Sequence, residues 1–105
     1  MTLPDVRPLI QQLVERFHPE KVILFGSYAY GEPHEGSDLD LLVVVSHPPQ
    51  RREAWRITTE LGEQYPISLQ IIFMDPEEFE ETKDVIGGVA YPASHWGKIL
   101  HEADS

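Results

Sequence analysis

An α/β (α+β) domain, with a small mixed or antiparallel sheet of three to four strands covered by helices, is the fold class that the sequence predicts. Three observations predict it. Short runs rich in Val, Ile, Leu and Phe recur at Lys21 to Phe25 (KVILF), Leu39 to Val45 (LDLLVVV) and Pro66 to Met74 (PISLQIIFM). Segments with helical apolar spacing stand around and between them. The first two runs are separated by about a dozen residues poor in helix signal, which favours antiparallel pairing over a parallel crossover.

The elements follow in order. Val6, Leu9, Ile10, Leu13, Val14 and Phe17 recur at helical spacing. Thr2 is placed to cap this helix, Pro4 suits its first turn, and Asp5 lies near the positive end of its dipole. His18-Pro19 stops it. After the first strand, Gly26-Ser27 makes a tight turn. Tyr28 to Glu35 then holds a turn of helix and a loop broken by Gly31, Pro33 and Gly36. The run from Leu39 to Val45 is too short and too β-branched to prefer a helix. Arg51 to Gln64 reads as a helix with Trp55, Ile57, Thr58 and Leu61 as core positions. Tyr65, Phe73 and Phe79 join the core. Asp75 caps a helix beginning at Pro76, with Glu78 three residues on, as a capping box requires. Gly87-Gly88 breaks the chain, and Val89 to Glu102 is a last amphipathic segment. Its Tyr91, His95 and Trp96 either pack into the core or form an exposed contact patch. No internal repeat or low-complexity linker divides the chain. A single domain over residues 1–105 is expected.

Composition excludes several function classes. The 18 acidic and 8 basic residues give a formal net charge of −10. A free DNA or RNA partner needs a basic face, so the charge argues against one. It suits solubility and a basic protein partner. With no cysteine there is neither a disulfide framework nor a thiolate metal site. The start lacks the pattern of a signal peptide. The longest apolar run, Leu41 to Val45, falls far below the roughly 18 residues of a membrane span. These features point to a cytoplasmic protein without a membrane partner.

The segment from Gly26 to Asp40 carries the chemistry. Gly26 lacks a Cβ and lets the backbone approach a ligand closely. The following N–H groups and the Ser27 hydroxyl are candidates for phosphate contacts. Asp38 and Asp40 stand two apart at the head of the second strand, and period-two geometry sends both carboxylates to one face. Two such charges repel each other, and a divalent cation between them removes that cost. Hard oxygen ligands suit Mg2+. Ser37 is placed to bond a carboxylate or start the strand. His34 reads as a solvated loop residue. His47, His95 and His101 show no metal-ligand spacing. The G-x-S-x-G elbow of a serine hydrolase is absent.

Gly-Ser, ten residues, then Asp-x-Asp resembles the signature of the DNA polymerase beta-type nucleotidyltransferase superfamily. Here Gly26-Ser27 and Asp38-Leu39-Asp40 enclose the ten residues Tyr28 to Ser37. The form GSYAYG…SDLDLLVVV looks closest to the minimal nucleotidyltransferases, which often pair with a HEPN-domain toxin and act as its antitoxin. PEEFEETKDVIGGVAYPASHWGKIL is similar to the tail of those domains. The resemblance implies the nucleotidyltransferase fold, with ATP or another NTP as substrate and Mg2+ as cofactor. It implies triphosphate contacts at Gly26 and Ser27, with Ser37 nearby. Asp38 and Asp40 become the metal-binding, catalytic carboxylates. It further implies AMP transfer to a partner protein, most plausibly a HEPN-type toxin.

Two positions depart from that pattern. Counting back from the PEEF helix, the third carboxylate falls at Gln70, a neutral side chain. An arginine often precedes the second glycine, where Tyr30 stands here. These departures open the alternative of a catalytically weak antitoxin-like module that neutralises its partner by contact alone.

Overall fold

The computed structural model describes residues 5–33, 36–65 and 67–103. The elements run α1 (Arg7–Phe17), β1 (Lys21–Phe25), α2 (Ser27–Tyr30), β2 (Leu39–Val44), α3 (Arg51–Gly62), β3 (Leu69–Met74), α4 (Pro76–Thr82), α5 (Ala90–Trp96) and β4 (Lys98–Glu102). The four strands form one sheet in the order β3-β2-β1-β4. β1 pairs antiparallel with both β2 and β4, and β2 pairs parallel with β3. The sheet is therefore mixed. The short β1–β2 link returns the chain directly, as expected. The β2–β3 link carries α3 and is long enough for a crossover.

The sheet buries two apolar layers. One face packs Leu24, Leu39, Leu41, Val43 and Ile71 against Leu9 and Leu13 of α1 and Ile57 and Leu61 of α3. The other packs Ile23, Leu42, Val44 and Met74 against Phe79 of α4 and Ala90 and Ala93 of α5. β2 lies between two strands and under helices on both sides. Its sequence LDLLVV accordingly reads as a continuous apolar run rather than an alternating one.

The helix ends follow local chemistry. His18 closes α1 in the left-handed conformation (φ 49°), and its N–H donates to the Val14 carbonyl at 2.9 Å. Thr2 and Pro4 lie outside the described residues. At the other end of α1 Val6 holds the N-cap position, a proline occupies the first helical turn, and the Asp5 carboxylate accepts the Arg7 N–H at 3.1 Å. The Arg7 side chain beside it holds the Asp5 pKa at about 2. The Asp75 carboxylate accepts the Glu78 N–H at 2.7 Å and caps α4 as the sequence predicts. Asp75→Ala is expected to cost about 1 kcal/mol, read as a lower midpoint in urea; an unchanged midpoint would refute the cap.

Two expectations are corrected. The amphipathic segment from Val89 to Glu102 is not one continuous element. It breaks at Gly97, whose backbone is extended (φ −74°, ψ 171°), and continues as β4. A Cβ at Gly97 would stand 2.7 Å from Ile23 Cγ2 and 2.8 Å from the Leu24 carbonyl, so this turn lies hard against β1. The cause is non-local: β1 is buried, and its second edge needs backbone partners. Trp55 is not a core residue but 70% exposed. The core stripe of α3 runs through Ile57 and Leu61, and Trp55 lies about 200° round the helix from Ile57. Tyr65 and Phe73 are partly buried against the core, and Phe79 is buried. No helix among the described residues is long and apolar enough to cross a membrane.

Candidate active site

β1 ends, and β2 and β3 begin, at the same end of the sheet. There the chain turns through Gly26 at φ 78° and ψ −160°, a region essentially restricted to glycine. The Gly26 carbonyl accepts the N–H groups of Ala29 (3.0 Å) and Tyr30 (3.2 Å), which starts the short α2 at Ser27. A Cβ on Gly26 would overlap Asp40 Oδ2. The bend and the aspartate are thus in direct proximity.

Asp40 is the second residue of β2. Its register partners are Phe25 on β1 and Gln70 on β3. The backbone fixes this placement, because the strand is held from both sides. The carboxylate is half-buried, and its Oδ1 is buried with no hydrogen-bond partner among the described residues. Burial pushes its pKa up, and the negative charge of Asp38 pushes it further the same way. Asp38 itself is exposed and lies in the connection just before β2, not within the strand. Ser37 is half-buried in the same connection.

The remaining sequence-predicted positions are sorted by the same geometry. Gln70 faces Asp40 across the parallel pair, so counting back from the PEEF helix located the residue beside the aspartate. Its side chain is exposed. Asp75 is taken up by its helix cap, and the Ser68 carbonyl accepts the Leu39 N–H at 2.8 Å. His34 lies outside the described residues. Among the described residues, no three His, Cys, Asp or Glu side chains are grouped to hold a metal ion. An open groove of about 620 Å³ runs between α3 and β3, lined by Arg51, Trp55, Thr58 and Ser68 among others. Gln70 is the one residue that it shares with the site. The sequence did not reveal that Trp96 on α5 meets Tyr30, one turn after the bend, with Tyr91 against the other side of the cluster at Trp96. That closeness depends on how β4 and α5 dock on β1, for which there is no local signal.

A divalent cation fits this donor set in part. The unpartnered Asp40 oxygen and the neighbouring Asp38 carboxylate are hard ligands of the kind magnesium takes. The third position offers only an amide. The arrangement suits a cation held by two carboxylates and completed by water or phosphate oxygens, not a three-carboxylate cage.

A consequence for stability follows. Because the folded-state pKa of Asp40 lies above the ordinary 3.8, its ionised form opposes folding at neutral pH. That opposition fades as the pH falls through the folded pKa and is gone below the unfolded one. In the presence of chelator at pH 7.5, Asp40→Asn is expected to gain about 1 kcal/mol, or about 4–8 °C in melting temperature. The gap should close towards pH 4. A variant that melts below the wild type at pH 7.5 would show that Asp40 has a stabilising partner.

A mixed sheet with a Gly-Ser bend pressed against an aspartate at its open end defines the nucleotidyltransferase class. The chain belongs to the nucleotidyltransferase domain family, whose model matches residues 6–89. Two proteins of Methanocaldococcus jannaschii are similar to it, MJ0141 and MJ1305, both carrying the provisional name protein adenylyltransferase. MJ0141 is 38% identical over 53 residues, covering 50% of this chain and 52% of its own. MJ1305 is 36% identical over 76 residues, covering 66% of this chain and 52% of its own. The chain thus spans about half the length of these relatives. Among solved structures, a toxin–antitoxin complex with AMP-PNP superposes with a TM-score of 0.68 at 21% identity, over 90% of this chain and 72% of the other. The toxin–antitoxin MntA-HpeT, in a variant with two aspartates changed to glutamate, gives 0.62 at 18% identity, over 92% and 73%. At these identities the likeness shows the fold.

Proposed function

We propose that this domain binds ATP or another NTP with Mg2+ and transfers an AMP group to a hydroxyl of a partner protein, a HEPN-type toxin in the cytoplasm being the leading candidate. The proposal treats residues 1–105 as a single minimal nucleotidyltransferase domain. The observation that carries it is the buried Asp40 oxygen beside Asp38, without a partner among the described residues and set against the Gly26 bend. A half-buried carboxylate without a partner is costly, and a bound cation removes the cost.

Each group then has a role. Asp38 and Asp40 are the residues that would hold the metal ion, which when bound would neutralise charge on the phosphates and on the departing oxygen. Gly26 keeps the bend free of a side chain, so that the triphosphate can approach the backbone. Ser27 offers its hydroxyl to a phosphate oxygen, and Ser37 supports the carboxylates from the connection. The acceptor hydroxyl oxygen forms a bond to the α-phosphorus, the bond to the bridging oxygen breaks, pyrophosphate leaves and the hydroxyl proton is released. The relatives' name, protein adenylyltransferase, and the toxin–antitoxin assemblies of the structural neighbours support a protein acceptor.

A second reading is favoured by Gln70, which stands opposite Asp40 where a third carboxylate is wanted. On that reading the domain is a weak or inactive catalyst that neutralises its partner by contact. One experiment separates the two. Purified domain and a HEPN-type toxin as partner protein are incubated with ATP labelled at the α-phosphate, with and without magnesium. Magnesium-dependent label on the partner, lost in Asp38→Ala and Asp40→Ala, is expected. A stable unlabelled complex that survives both substitutions would overturn the transferase reading in favour of the second.

A further inference from the structure

Four aromatic rings gather beside the Gly26 bend. Tyr30 on α2 meets Trp96 on α5 edge to face, with ring centroids 5.9 Å apart. Tyr91 lies 5.5 Å from Trp96 and 4.3 Å from His95. The His95 ring bonds Asp84 at 3.0 Å, which fixes its orientation from the α4–α5 turn. Despite these mutual contacts, Trp96 is 55% and Tyr30 47% exposed. Folding alone does not account for two large rings left half in water when smaller residues would serve. Their position is also specific. Tyr30 stands three residues after Ser27, one helical turn along the same face. Trp96 precedes Gly97, which lies against the Leu24 carbonyl, two residues before the bend. α5 covers the sheet face that carries Ile23 and Leu42, and period two puts Asp40 on that face as well. α5 packs on β1 and α2 touches both β1 and β2, so the rings stand over the strand next to the one that carries Asp40.

We propose that Trp96 and Tyr30, backed by Tyr91 and His95, form the subsite for the base of the nucleotide, and that it favours purines. This rests on the reading of the bend and Asp40 as a magnesium–triphosphate site. Stacking on exposed rings accepts any base but rewards the larger π-face, because the ring overlap grows with the bicyclic system. Stacking on these rings discriminates by ring size, so ATP and GTP bind alike and more tightly than CTP and UTP.

The test is a binding panel with magnesium present, using ATP, GTP, CTP, UTP and inorganic tripolyphosphate on the wild type, Trp96→Ala, Trp96→Phe and Tyr30→Ala. Trp96→Ala is expected to weaken ATP about 5- to 100-fold and tripolyphosphate by less than about 2-fold. Trp96→Phe should restore most of the loss, and Tyr30→Ala should weaken ATP in the same selective way. In a Trp55→Phe background, where Trp96 is the remaining tryptophan, ATP should quench the emission and tripolyphosphate should not. Equal affinity of the wild type for ATP and tripolyphosphate, or unchanged ATP affinity in Trp96→Ala, would overturn the base subsite while leaving the phosphate site standing. Failure of the wild type to bind any of the five would overturn the underlying reading and this one with it.

Discussion

Gln70→Asp is expected to raise magnesium affinity at least about tenfold and to raise the rate of nucleotidyl transfer by a similar factor. The reasoning starts from register. Asp40 and Gln70 are partners in a parallel pair, so their side chains leave the sheet on the same face. Adjacent strands lie about 4.8 Å apart. At that separation two unit charges interact by about 3–4 kcal/mol at an effective dielectric constant of about 20. A divalent ion doubles the attraction, while the exposure of residue 70 and salt reduce it. A remainder of about 1.4 kcal/mol is already a factor of ten. The same substitution should lower the melting temperature of the metal-free protein, since it adds a third negative charge beside Asp38 and Asp40, and magnesium should reverse that loss. Calorimetric titration of magnesium and a melting series check both signs. An unchanged magnesium affinity would mean that residue 70 does not face the ion, and the missing carboxylate would then not explain weak catalysis.

Gly26→Ala is expected to be the most damaging single substitution at the site, costing about 2–4 kcal/mol. Two independent penalties add. The backbone at φ 78° and ψ −160° excludes a Cβ on conformational grounds. The new methyl would also overlap Asp40 Oδ2, so the carboxylate must turn away on a strand whose backbone β1 and β3 hold from both sides. The loss should appear as a fall in melting temperature on the order of 10 °C or more, and magnesium should no longer stabilise the protein. A variant that melts within about 2 °C of the wild type would refute the close approach of bend and carboxylate.

Much of this arrangement was legible in the sequence, and the reasons are local ones. KVILF, LDLLVV and the Asp75–Glu78 cap each declare themselves within a few residues, and each was found where expected. Of the pairing expected between Gly26-Ser27 and Asp38-x-Asp40, the sheet sets Gly26 against Asp40. What escaped was set by distant contacts. β4 forms because β1 has an edge to fill, and KILHE carries too little alternation to announce a strand by itself. Trp55 was assigned to the core on hydrophobicity, although its angle from Ile57 puts it on the far side of α3. The aromatic group of Tyr30, Tyr91 and Trp96 joins residues some sixty positions apart through β1 and β4, and no short window contains it.

The position of Asp40 within the sheet has a bearing on regulation. It belongs to an interior strand hydrogen-bonded on both flanks and roofed on both faces, so its backbone amide should exchange with solvent only when the whole molecule opens. Melting of a nearby segment would leave this carboxylate on its strand, whereas Asp38 and Ser37 in the connection before β2 have no such anchorage. Control of the site would then act on that connection, or through a second polypeptide that shields the entrance, and not on the Asp40 strand.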